Sequence, residues 1–169
     1  MAKQTLSNWE GRHKSPAYWW SVGFGSGLLK PAPGTWGSLV GLVLGYGLVG
    51  IVGGFWWLIV AIISVTLVSI FAISAIEKAT GIHDAPEIVI DEFAGQWVAM
   101  LPLAFFPFGI WELLTCFGLF RLFDIIKPWP IGLLDRKVSG GFGVMVDDLV
   151  AGVIAAAILV VLIFYTPIF

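Results

Sequence analysis

Residues 54–76, GFWWLIVAIISVTLVSIFAISAI, run without a charged side chain and begin with paired tryptophans, Trp56 and Trp57. A helix needs about 20 predominantly apolar residues to cross the hydrocarbon of a bilayer, and Trp prefers its edges. The stretch therefore predicts a membrane-spanning helix, and its neighbours repeat the pattern. Residues 37–53 (GSLVGLVLGYGLVGIVG) predict a shorter, glycine-rich span, either complete or re-entrant. Residues 86–106 predict a third, 109–126 a fourth and 148–166 a fifth. Breaks are expected at Gly53-Gly54, Pro107, Pro128 and Gly140-Gly141-Phe142-Gly143, where glycine and proline punctuate the apolar runs. The expected fold is an all-α, polytopic membrane bundle of about five apolar segments. It forms one domain over residues 1–169, with 1–22 as an N-terminal cytoplasmic tail.

Composition excludes several classes of function. Only 12% of the residues are charged and 59% are hydrophobic, with a mean hydropathy of +0.96. A water-soluble domain carries about 25% charge. The net charge of −2 and the lack of a basic stripe beyond the N-terminal segment speak against nucleic-acid binding. The single cysteine, Cys116, can form no intramolecular disulfide. The first 36 residues are polar, aromatic and rich in Gly and Pro, unlike a cleavable signal peptide.

The charges are distributed unevenly. Lys3, Arg12, Lys14 and Lys30 precede the first apolar segment, and Lys78 follows the second. Arg121 lies near the end of the fourth, and Lys127, Arg136 and Lys137 follow it. The connections near Gly53 and Pro107 carry no Lys or Arg. The positive-inside rule then puts the N-terminus and the 77–90 and 127–147 connections in the cytoplasm.

Three acidic groups fall on that face. In HDAPEIVIDEFAGQW, Asp84, Pro86 and Glu87 have the spacing of a helix cap, a first-turn proline and a capping-box partner. Asp91 and Glu92 then lie about one and a half turns into the helix, beyond the reach of capping. They are candidate ligands, or ion-pair partners of Arg121 or Lys127. In FRLFDIIKPWP, Arg121 and Asp124 share a helix face, with Lys127 about a turn further on. Snorkelling at a helix C-terminus would account for Lys127 but not for Asp124. In GGFGVMVDDLVAG, one of Asp147 and Asp148 could cap the last helix, but not both.

Upstream, GFGSGLLKPAPGTWGS (23–38) reads as a loop that could cradle phosphate. It is not a Walker A motif, since no Ser or Thr follows Lys30. Gly37, Gly41 and Gly45 have the spacing of close helix packing. Oxygen-rich candidate ligands without a Cys/His pattern favour a hard ion such as Mg²⁺ over zinc. Carboxylates, a metal and Arg121 at a lipid–water boundary suit chemistry at a phosphate.

Taken in order, GFGSGLLKPAPGTWGSL, IHDAPEIVIDEFAGQWV and FRLFDIIKPWPIGLLDRKVSGGFGVMVDDLVAG, with the apolar spacers between them, resemble the phosphatidylglycerophosphatase A family. The resemblance runs from about residue 23 to 152 and implies a Mg²⁺-dependent lipid phosphomonoesterase of the bacterial inner membrane, its site facing the cytoplasm. Its substrate would be phosphatidylglycerol phosphate. Carried over residue by residue, Asp91, Glu92, Asp124, Asp147 and Asp148 match the family's acidic positions, and Arg121 and Lys127 its basic ones. Asp91, Glu92, Asp147 and Asp148 are the expected metal ligands. Arg121, Lys127 and Lys30 are expected to bind phosphate, and Asp91, Asp124 and Arg121 to take part in catalysis.

Two other classes fit less well. A secondary transporter would want charged groups along a path through the membrane, where Glu112 stands alone and no inverted repeat is visible. A CDP-alcohol phosphotransferase would carry a D-G-x-x-A-R type signature, which the sequence lacks.

Overall fold

The computed structural model describes residues 4–51 and 54–165. Lys3, Gly53 and the tail after Tyr165, on which parts of the charge argument rest, lie outside the described residues. Among them the chain is all-helical, with no strand. The helices are α1 (Pro16–Ser21), α2 (Pro33–Gly50), α3 (Phe55–Thr80), α4 (Ile90–Ala99), α5 (Ile110–Ile126), α6 (Ile131–Lys137) and α7 (Gly140–Tyr165). Short 3-10 turns occur at Leu6–Asn8, Arg12–Lys14, Gly23–Leu28 and Leu101–Ala104.

Among the described residues two helices, α3 and α7, are long and apolar enough to cross a membrane, at 26 residues each, rather than the five expected. The expected third span is not one. Residues 86–106 form a turn at 86–87, the ten-residue α4 and a 3-10 turn. At 1.5 Å per residue α4 is about 15 Å long, half of a bilayer's hydrocarbon. Pro102 ends it, because proline has no N–H to continue the ladder. The interrupted segment is therefore the third one, whereas α2 runs as a single helix of 18 residues.

Glycines let α4 sit at the centre of the bundle. A Cβ on Gly37 of α2 would meet Val89, one on Gly41 would meet Phe93, and one on Gly45 would meet Trp97 and Met100. The predicted close packing is thus along α4, and the Trp97 indole donates to the Gly41 carbonyl at 2.7 Å. On the other side, Gly152 of α7 lies against the Gly95 carbonyl and Val98. These successive pairings run α2, α4 and α7 in one direction. The Glu92–Arg121 and Gln96–Cys116 contacts show α5 running the other way. Replacing Gly152 with Val should therefore force a side chain into the Gly95 backbone and destabilise the fold by about 1–3 kcal/mol or more. A thermal melt in detergent checks this, and an unchanged midpoint would contradict the packing.

With α3 and α5 antiparallel to the other three, the charged residues of α2–α7 gather at one end. Glu112 is the exception, and it caps α5 by accepting the Gly109 N–H at 2.7 Å. At that other end Trp56, Trp57 and Trp111 are exposed, and at the charged end Trp36 and Trp129 are exposed. Between these ends Val60, Ile63, Leu67 and Phe71 of α3 face outward, as do Leu114 and Leu122 of α5 and Val153 and Val161 of α7. An apolar girdle between two aromatic fringes suits lipid rather than water.

Residues 5–28 fold onto the charged end. Leu6 N–H donates to the Glu87 carboxylate at 3.2 Å, and the Trp20 indole donates to Ser69 Oγ at 2.9 Å. Val89 N–H donates to the Ser21 carbonyl, also at 2.9 Å. Leu6, Tyr18 and Val22 are buried in these contacts.

Two helix starts differ from the sequence reading, and in opposite senses. The Asp84–Glu87 pattern does not open a helix: Asp84 adopts a positive φ of 49°, and Glu87 binds Leu6 instead. The helix opens at Ile90, so Asp91 and Glu92 lie in its first turn. Conversely, α7 opens at Gly140, so Asp147 and Asp148 lie two turns inside it and cap nothing. Gly141 is not a break. It lets α7 approach the Ile70 carbonyl of α3, and its N–H donates to Ser74 Oγ at 3.1 Å.

Candidate active site

The two displaced helix starts have a joint consequence. The first turn of α4 and the third turn of α7 come to the same level, and three carboxylates converge there. One oxygen from each of Asp91, Glu92 and Asp148 lies within 4.8 Å of the others. Asp91 is 8% exposed and Asp148 3%. Buried polar groups are normally hydrogen-bonded, and like charges at this spacing repel. Yet Asp91 Oδ1, Glu92 Oε2 and Asp148 Oδ2 are buried without a hydrogen-bond partner. Three converging carboxylates, each with an unpartnered oxygen, have the donor set of a hard divalent cation, so the residues fit a metal. The α4 N-terminus adds only partial positive charge.

Arg121 closes one side of this group. Its Nη1 pairs with the Asp124 carboxylate, lies 3.8 Å from Glu92 Oε1 and donates to Ser38 Oγ at 3.2 Å. Its Nε is buried with no partner. The Arg121–Asp124 pairing follows from their i, i+3 spacing on α5. Gly34 makes room for the guanidinium, because a Cβ there would run into Glu92 Oε1 and crowd Arg121.

Lys127 closes the other side, at the point where α5 ends. It takes a left-handed conformation (φ 46°, ψ 55°) as the C-cap of α5, ahead of Pro128. It therefore leaves the Arg121–Asp124 stripe, and its ammonium bridges Asp135 of α6 and Asp147 of α7. Burial opposes the charge on Lys127, but the two carboxylates outweigh it and raise its pKa above the usual lysine value. Asp147, 4% exposed, thus faces Lys127 rather than the three-carboxylate group, although its Oδ1 has no partner.

These groups line one cavity of about 690 Å³ at the charged end. Its carboxylates are Asp84, Asp91, Glu92, Asp124, Asp135, Asp147 and Asp148, and Lys127 is the one Lys or Arg among its described lining residues. A phosphate dianion would be repelled from such a cavity unless further cations accompanied it.

Most of the residues singled out in the sequence thus come together. Asp91, Glu92, Asp124, Lys127, Asp147 and Asp148 share the cavity, and Arg121 touches it through Glu92 and Asp124. Lys30 does not join them: it is exposed and outside the lining. From the same upstream segment it is Gly34 and Ser38 that reach Arg121, joined by the Ser38 Oγ to Gly34 carbonyl bond of 2.8 Å. Sequence reasoning missed these two and Asp135. The i, i+4 spacing of Gly34 and Ser38 at a helix start was the available signal for the first pair.

The family model for phosphatidylglycerophosphatase A matches residues 19–163. The chain belongs to the phosphatidylglycerophosphatase A family. A phosphatidylglycerophosphatase A from Haemophilus influenzae is 41% identical over 148 residues, covering 85% of this chain and 86% of its own. The Escherichia coli phosphatidylglycerophosphatase A is 39% identical over 147 residues, covering 86% and 82%. A Bacteroides thetaiotaomicron protein, provisionally named a phosphatidylinositol-3-phosphatase, is 34% identical over 135 residues, covering 78% and 84%. No solved structure matches the chain. Family membership makes the chain a phosphatase, and the matched region contains every cavity carboxylate described above.

Proposed function

We propose that this phosphatidylglycerophosphatase A family member hydrolyses phosphatidylglycerol phosphate to phosphatidylglycerol and inorganic phosphate, with Mg²⁺, at the cytoplasmic face of a bacterial inner membrane. The observation that carries the reading is the carboxylate-rich cavity at the charged end of an apolar bundle, in a chain about two-fifths identical to two proteins of that name. The positive-inside distribution of Lys and Arg supports the cytoplasmic orientation.

Asp91, Glu92 and Asp148 would hold the ion, with Asp147 next to them. When bound, Mg²⁺ would neutralise phosphate oxygens and make phosphorus more open to attack. Arg121 stands just behind the cavity wall, where its unpartnered Nε would donate to a phosphate oxygen as substrate enters, and Asp124 and Ser38 hold its Nη1. Lys127 contributes a second positive charge, and Lys30 lies outside, where it attracts the dianionic headgroup. In the reaction a water oxygen bonds to phosphorus as the bond from phosphorus to the headgroup glycerol oxygen breaks. Asp91 takes the water proton and passes it to the departing alkoxide, which leaves as the alcohol. The ion pair with Arg121 occupies Asp124 and gives it a positioning role.

Phosphate release from phosphatidylglycerol phosphate, phosphatidic acid and phosphatidylinositol 3-phosphate, in matched micelles, tests the substrate. Phosphatidylglycerol phosphate should be turned over fastest by a wide margin. Preferred turnover of the inositol lipid would overturn this assignment in favour of the activity named for the Bacteroides relative.

A further inference from the structure

The rim of the cavity is chemically two-sided. Among its exposed lining residues, Gln4, Gly81, His83 and Asp135 are polar or lack a side chain and face water. Ile125 is the exception. It lines the cavity and is 67% exposed, on the outward face of α5. Leu122 and Ile126, on adjoining positions of the same helix, are exposed too, and so is Trp129 just beyond its end. On a helix, positions three and four apart are neighbours, so Ile125 joins the acidic interior to an apolar row directed at lipid. Arg121 precedes that row in sequence and Lys127 follows it, and both pair with carboxylates of the site.

We propose that the cavity opens sideways to the bilayer across Ile125, and that the Leu122–Ile125–Ile126 row seats the diacylglycerol part of the lipid phosphate. The inference rests on the lipid phosphatase reading above. An amphiphile whose terminal phosphate must reach Asp91, Glu92 and Asp148 cannot carry its acyl chains into a cavity lined by seven carboxylates. It can leave them in the membrane if the wall it crosses is apolar. Ile125 provides that wall, and the polar side of the rim lets inorganic phosphate escape to water.

The test compares two substrates: long-chain phosphatidylglycerol phosphate in mixed micelles, and its water-soluble, deacylated counterpart. In Ile125→Ser the ratio of kcat/KM for the lipid over the deacylated substrate should fall about tenfold, as expected for losing one Ile-sized apolar contact. Ile125→Leu, which keeps the apolar wall, should leave the ratio unchanged. Equal losses on both substrates, or no loss on either, in a variant that elutes and melts like the wild type would overturn the lateral route. Phosphate release from neither substrate by the wild type would instead remove the phosphatase reading, and this inference with it.

Discussion

Replacing Asp148 with Asn is expected to cut phosphate release roughly a hundred- to a thousandfold, and to raise the melting temperature of the metal-free protein. The two effects have the same cause. Asp148 is buried two turns inside α7 against Asp91 and Glu92, with one oxygen unpartnered. Without a cation, three carboxylates at this spacing repel, and each is costly to bury. Asn has the same shape and no charge, so it relieves the repulsion. A relief of about 1 kcal/mol corresponds to a rise of some 2–4 °C in a protein of this size. The same exchange removes a ligand, so Mg²⁺ should stabilise the wild type and leave the variant unmoved. Thermal melts with and without Mg²⁺, beside the activity assay, check all three points. A variant less stable than wild type without metal, with unchanged metal dependence, would mean that Asp148 is a structural residue.

Arg121→Ala should have the larger effect on the fold. Arg121 is the cation facing both Asp124 and Glu92, and all three side chains are mostly buried. Removing one partner of a buried ion pair leaves an uncompensated charge, at a cost of about 3–5 kcal/mol. Ser38 would also lose its donor. Arg121→Lys separates chemistry from stability. It keeps the positive charge beside Asp124 but cannot offer a planar fork to phosphate. Its melting temperature should stay near wild type while turnover falls about a hundredfold. A lysine variant with near-wild-type turnover would remove Arg121 from phosphate binding and leave it as a counter-ion to Asp124.

The long helices α2, α3, α5 and α7 were legible in the sequence, because long uncharged runs admit few other structures in a chain this apolar. Of the five expected spans, however, only α3 and α7 among the described residues are long and apolar enough to cross a membrane. The glycine spacing of α2 was legible too, and Gly37, Gly41 and Gly45 do mark a close contact. Misread features were those in which a local signal was overridden by a distant partner. Asp84, Pro86 and Glu87 spell a helix start, but Glu87 is taken by Leu6 N–H from a segment far away in sequence. The glycines at 140–143 spell a break, but Gly141 serves an approach to the α3 backbone. The residues 86–106 had the length of a span, and only Pro102 hinted that the helix stops halfway. The acidic residues were found on chemical grounds, since a carboxylate in an apolar run calls for a partner. Their grouping was not legible. Asp147 and Asp148 are adjacent in sequence, but one turns to Lys127 and the other to Asp91 and Glu92, because neighbours on a helix point about 100° apart.

The most direct measurement is phosphate release from phosphatidylglycerol phosphate by the purified, monodisperse protein in detergent micelles, first with Mg²⁺, then with EDTA, then with Mg²⁺ restored. If Asp91, Glu92 and Asp148 hold the ion that lets a phosphate enter so acidic a cavity, EDTA abolishes release and Mg²⁺ brings it back. Release that persists unchanged in EDTA would contradict the metal site, and no release from folded protein under any of the three conditions would contradict the proposed reaction.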